Sequence, residues 1–306
     1  MRSEGAALEA QRAAVADERN VLHPRRGPAA RLLLLARKKP LGTIAGVIIL
    51  VMVAMAIFAP LIAPFDPTFA DPRHKFLGSS ANHFFGTDNL GRAVFSQIVY
   101  GARTSLWAGI TATIFGTIFG SLIGMASGYA GGRIDMVIQR IMDALQALPL
   151  IVLLLVVVSA VGPSLWNIIW ALSIAILPAA GRIIRGNALV VKNESYIEAA
   201  RVVGCRPDRI LLRHVLPNVS AYILVIASVT IGGAILAEAA LSFLGLGVPP
   251  PTPTWGGMLS SAGRRFFESH QSLALYPGLA ITIAVLSFNL LGDTLRDVLD
   301  PRLRGR

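Results

Sequence analysis

Six apolar runs punctuate the chain, at about residues 41–63, 105–128, 137–161, 165–184, 219–244 and 272–292. Each reaches roughly the 20 residues that a helix needs to cross the hydrocarbon core of a bilayer. Backbone groups in hydrocarbon must find their hydrogen bonds inside the segment, so the pattern predicts six transmembrane α-helices in an all-α, polytopic fold. Pro60 and Pro64 end the first run, Pro149 predicts a kink in the third, and Gly162-Pro163 turns the chain back before the fourth. Along the second run Ala108, Ala112, Gly116, Gly120, Gly124 and Gly128 recur at steps of four. Such a stripe lets a second helix approach closely in lipid, where no hydrophobic drive joins helices. The expected role of Gly116, Gly120, Gly124 and Gly128 is therefore packing.

Between the fourth and fifth runs lies a polar stretch, Ser195 to Asn218, that reads as two short helices meeting at a hinge. Ser195 with Glu198 three residues later is a capping-box pattern, continued by Ala199, Ala200, Val202 and Val203. Gly204 supplies the left-handed conformation that ends a helix, and Pro207 suits the first position of the next. Pro217 is expected to close that second helix.

Composition supports a membrane protein: 54% of residues are hydrophobic and 15% charged. A net charge of +11 would fit a nucleic-acid binder, but the basic residues alternate between connections and do not gather on one face. Only six of the 28 Lys and Arg residues (Arg73, Lys75, Arg92, Arg103, Arg264 and Arg265) fall in the connections of one parity. Both tails and the Ser195–Asn218 stretch share the other, so the positive-inside rule predicts cytoplasmic termini. The organisation expected is a cytoplasmic tail over 1–40, a first span with an external segment over 41–102, a five-helix core over 103–292, and a cytoplasmic tail over 293–306. The core contains a cytoplasmic loop over 186–218. The first apolar run starts too late and is too long for a secretory signal. Cys205 is the single cysteine, so no internal disulfide forms, and the five histidines show no metal-ligand spacing.

The order Glu198-Ala199-Ala200, Gly204 and Leu216-Pro217 resembles the EAA loop of ABC importer permeases. The resemblance implies a type I importer permease fold, and a loop (Glu198, Ala199, Ala200, Arg201, Gly204, Leu216, Pro217) that docks on an ATPase subunit. RHVLPN at 213–218, FFGTDNLGRAVFSQIVYGARTSL at 84–106, PPTPTWGGML at 250–259 and GDTLRDVLDPRL at 292–303 look like the dipeptide, oligopeptide and glutathione branch. Two positions depart from the family pattern: His214 replaces an aliphatic residue, and Ala93 stands where an acidic residue usually follows Gly-Arg. The resemblance covers about residues 80–303. It implies an inner-membrane subunit paired with a second, homologous permease, two cytoplasmic ATPases and an external substrate-binding protein.

Uphill transport requires an energy source. None of the four lysines (Lys38, Lys39, Lys75, Lys192) precedes Ser or Thr, so the chain carries no P-loop. ATP and magnesium then belong to the partner ATPases, and this chain binds no cofactor and catalyses no reaction of its own. A gradient-driven transporter is the alternative from another class; its candidate carboxylates are Asp143, Glu238 and Asp293. Glu238, about two turns from the outer end of the fifth span, reads either as a pathway or gate residue or as an interfacial carboxylate bonded to the following connection. The solute expected is a dipeptide or oligopeptide, with glutathione or a nickel complex as alternatives.

Overall fold

The computed structural model describes residue 37 and residues 39–299. Helix α1 spans Pro40–Ile57 and α2 spans Val94–Ala130. Helix α3 spans Gly132–Gln146, α4 spans Leu150–Val161 and α5 spans Leu165–Lys192. The short α6 (Ser195–Val202) precedes α7, which is continuous over Pro207–Phe243, and α8 covers Ser272–Leu299. No strand occurs among the described residues. Five helices are long and apolar enough to cross a membrane, or six if α3 and α4 together count as one.

The third span is not the single kinked helix expected from residue 137. It divides into α3 and α4, which are bent by 90° at the break. Pro149 is the N-cap of α4, with its backbone at ψ 137°. Proline lacks an N–H and pushes the preceding residue out of the helical region, which ends α3. Helix α3 turns its polar groups inward: Asp135 and Gln139 both bond to Ser127 of α2. Its Ile134, Val137 and Ile141 are more than half exposed.

Helix α2 is the centre of the molecule, packing on α5, α7, α1 and α3. The small-residue row lies directly against α5. A Cβ on Gly124 would stand 2.0 Å from the Gly181 carbonyl oxygen, and one on Gly120 would stand 2.4 Å from that of Leu177. The same face continues from Gly116, against Ser173 and Ile176, to Gly128, against Arg185. Ser173 Oγ, which donates to the Ile169 carbonyl within α5 at 2.7 Å, also lies 3.2 Å from the Ala112 carbonyl of α2.

Helix α2 also packs on α7. Ser105 meets Glu238, Gly109 meets Ile235, and Met125 shares a buried cluster with Val219. Farther along α2, Thr113, Thr117 and Ser121 are also buried. At its far side α7 packs antiparallel on α8, with Gly232 against Asn289 and Gly292 against Val229. The start of α1 meets the end of α8, where Lys39 Nζ and Asp297 pair at 2.6 Å. Both ends of the described chain therefore sit at the end of the bundle that carries α6.

Gly124→Ala must force two backbones apart and is expected to destabilise the fold by about 1–3 kcal/mol. Gly186→Ala, on the exposed face of α5 with nothing within 4 Å of its Cβ, is the control. It should gain about 0.5–1 kcal/mol from the helix preference of alanine. Opposite shifts of the detergent unfolding midpoint are the outcome to look for; equal shifts would show that α2 and α5 can part freely.

Candidate functional site

The hinge stretch forms a surface built from its own backbone chemistry. Helix α6 starts one residue earlier than a capping box allows: its N-cap is Glu194, and no side chain caps it. Ser195 is already helical, so the Ser195–Glu198 reciprocal bond does not form, and Glu198 is exposed. At the other end Cys205 N–H reaches the Ala200 carbonyl at 3.0 Å and Gly204 N–H reaches that of Arg201 at 2.9 Å. These two bonds are a Schellman motif, and Gly204 has the φ of +83° that it requires. A Cβ on Gly204 would meet nothing within 4 Å.

One side chain anchors α6. Ile197 is fully buried in a cluster with Ile184, Ile210, Val215 and Val219. The opposite face is open: Glu198 and Ala199 are exposed, and Val202 and Val203 are each 82% exposed. Ala200 and Leu216 are half-buried against the cluster, while Pro217 is exposed. Arg201 lies with its guanidinium 5.3 Å from the centre of the Tyr129 ring.

Pro217 does not close the second helix. Having no N–H, it cannot bond the Arg213 carbonyl, and its ring crowds that group. The backbone widens into a π-turn over Leu211–Val215, and Leu216 N–H reaches back to the Leu211 carbonyl. Asn218 Nδ2 then donates to the His214 carbonyl at 2.7 Å and to the Tyr196 hydroxyl at 3.3 Å, tying α7 to α6. The sequence reading gave Asn218 no role of its own. Its position directly after a mid-helix proline was the available signal.

Glu238 is buried inside the chain, 1% exposed. Ser242 Oγ donates to Oε1 at 2.8 Å and Ser105 Oγ donates to Oε2 at 3.2 Å. Trp255 N–H donates to the same Ser105 oxygen at 3.2 Å, and its indole N–H donates to the Ile98 carbonyl at 3.0 Å. Gly256 permits this insertion, because a Cβ there would lie 2.5 Å from Ala239 Cα. The connection after α7 thus dips between α2 and α7, where Thr254 joins Ser105 and Ser242 as a polar neighbour of Glu238. Above it opens a cavity of about 360 Å³ lined by Asn89, Arg92, Gln97, Ser242, Thr254 and Ser260, among others. The other two candidate carboxylates are simpler: Asp143 pairs with Arg182 at 2.7 Å, and Asp293 is exposed.

Asp88 was not singled out from the sequence, although it organises the GTDNLGR turn beside this cavity. Its carboxylate accepts from the N–H groups of Leu90 (2.8 Å) and Arg92 (2.9 Å), from Arg92 Nε (2.7 Å) and from Gln97 Nε2 (3.1 Å). Among the described residues no group of three His, Cys, Asp or Glu side chains is placed to hold a metal ion.

Glu238→Leu would strand the Ser105 and Ser242 hydroxyls and should lower stability by about 1–3 kcal/mol, whereas Glu238→Gln retains an acceptor and should lose less. The measurement is the unfolding midpoint of the two variants. Indistinguishable midpoints would mean that the carboxylate carries no structural share.

Known proteins resemble this chain over most of its length. It is 42% identical over 275 residues to a putative peptide transport system permease protein of Brucella suis, covering 90% of this chain and 91% of that one. The dipeptide transport system permease protein of Alkalihalophilus pseudofirmus is 43% identical over 268 residues, 88% of each chain. A glutathione transport system permease protein of Shigella flexneri is 46% identical over 270 residues, 88% of this chain and 89% of that one. Among solved structures, inward-facing forms of the MetNI methionine ABC transporter share the fold, with a TM-score of 0.51 at 18% identity. That match covers 67% of this chain and 96% of the other. Residues 35–79 match the N-terminal transmembrane domain of oligopeptide transport permease C. Residues 116–305 match the binding-protein-dependent transport system inner membrane component, and the chain belongs to that family, as a multi-pass permease of the inner membrane.

Proposed function

We propose that this chain is one of two homologous permease subunits of an ATP-driven importer for dipeptides or oligopeptides, and that α6 with Gly204 docks on a cytoplasmic ATPase. The observation that carries the docking reading is the pair Val202 and Val203, each 82% exposed at the end of a helix outside the spans. Two adjacent valines in water, beside a glycine with open space around it, are an apolar knob suited to a partner's groove. The basic residues of the tails and the hinge stretch support a cytoplasmic position for that surface. An external binding protein delivers the solute, and two ATPases bind ATP and magnesium. Relatives named for peptide, dipeptide and glutathione transport support the solute class, with glutathione as the second choice.

Val202→Asp and Val203→Asp are surface changes, so the chain's own stability should stay within about 0.5 kcal/mol. Association with the ATPases should fall about tenfold or more, which corresponds to about 1.4 kcal/mol. Gly204→Val places a β-branched residue at positive φ, at a cost of about 1–3 kcal/mol, and should dissociate the ATPases or uncouple hydrolysis from uptake. Co-purification and uptake by proteoliposomes read both effects. ATPase subunits that stay bound to the Asp variants would refute the docking surface. Purified alone, the chain should turn over no ATP; turnover after removal of contaminating ATPases would contradict the division of labour.

A further inference from the structure

Tyr129, one residue from the end of α2, is enclosed by side chains from two other elements. Arg201 of α6 lies over its ring at 5.3 Å, and Lys192 at the end of α5 lies at 5.7 Å. Lys192 Nζ also donates to the Tyr129 carbonyl at 2.6 Å, satisfying one of the free carbonyls at the α2 terminus. The ring itself packs against the cluster that contains Ile197, the buried anchor of α6.

Two residues earlier, the same turn of α2 joins α3. Ser127 Oγ hydrogen-bonds the Asp135 carboxylate, and Gln139 Nε2 donates to Ser127 Oγ at 3.1 Å. Arg185 of α5 holds Asp135 through two bonds, at 2.6 and 2.5 Å. Helix α3 leads directly to the 90° break and α4. The last turn of α2 is thus the place where α6 and the broken span are linked through side chains.

Arg201 belongs to the loop whose resemblance implies ATPase docking, yet its charge faces an aromatic ring of its own subunit. We propose that Tyr129 is a positioning residue for coupling: it receives displacement of α6 through Arg201 and passes it to α3 through Ser127, Asp135 and Arg185. Arg201 serves this internal link and is not a contact for the ATPase. The inference rests on α6 being the docking helix.

The test uses the assembled transporter in proteoliposomes. Tyr129→Leu and Arg201→Met should each lower ATP-driven uptake about fivefold, a loss of the size that one cation–π contact supplies. ATP hydrolysis should stay within about twofold, so that solute moved per ATP falls. Tyr129→Phe keeps the ring and should restore uptake. The double variant should be no worse than Tyr129→Leu alone, because that change already removes the Arg201 contact along with that of Lys192. The proposal is overturned if Arg201→Met releases the ATPases while Tyr129→Leu transports normally, or if the two losses multiply. It is also overturned if uptake, hydrolysis and the unfolding midpoint all fall together, the mark of a merely structural residue. ATPases that remain bound to Val202→Asp and Val203→Asp would instead refute the docking reading itself, whatever Tyr129 does.

Discussion

The contact between α2 and α5 leaves no space for a side chain. Gly124 and Gly181 meet backbone to backbone, and the neighbouring glycines keep that approach over several turns. In lipid two helices gain little from burying apolar surface against each other, so close packing and dispersion must hold them. The surrounding features depend on this approach. It brings Arg185 within reach of Asp135, Lys192 within reach of Tyr129, and Ser173 onto the α2 backbone. A wider seam would strain these contacts, while the bonds of Ser127 to Asp135 and Gln139 would still hold α3 to α2.

At the far end of the bundle the same helix has a different task. The loop that follows α7 inserts Trp255 between α2 and α7, and a carboxylate accepts the hydroxyls that orient it. A buried ionisable group is costly in a membrane protein unless its partners are built in. Here Ser105 and Ser242 are those partners, one from each wall of the cleft. Glu238 thus lies next to Ser242 and Thr254, two of the residues that line the cavity.

Much of this was legible in the residues. The apolar runs marked the membrane helices, the four-residue glycine spacing marked the α2 face, and Gly204 marked the end of α6. Hydropathy reports only the lipid-facing part of a helix, however. It missed that α2 begins at Val94, that α5 runs on to Lys192, and that the helix starting at Pro207 continues unbroken into the fifth span. Those extensions interleave polar residues with buried apolar ones such as Val94, Val99, Ala188 and Ile210, so their packing is hidden from a hydropathy average. Non-local pairs were invisible for another reason: Asp135 and Arg185 lie 50 positions apart, and nothing in either segment names the other. The π-turn followed from a conflict between Pro217 and a helix that had packing reasons to continue.

The glycine face of α2 also limits how that helix can move. A Cβ on Gly124 or Gly120 would stand 2.0 or 2.4 Å from a carbonyl oxygen of α5, so turning α2 about its own axis would drive the side chain of a neighbouring position into backbone. The two helices therefore travel as one strut, and the elements fastened to either end of it move with both.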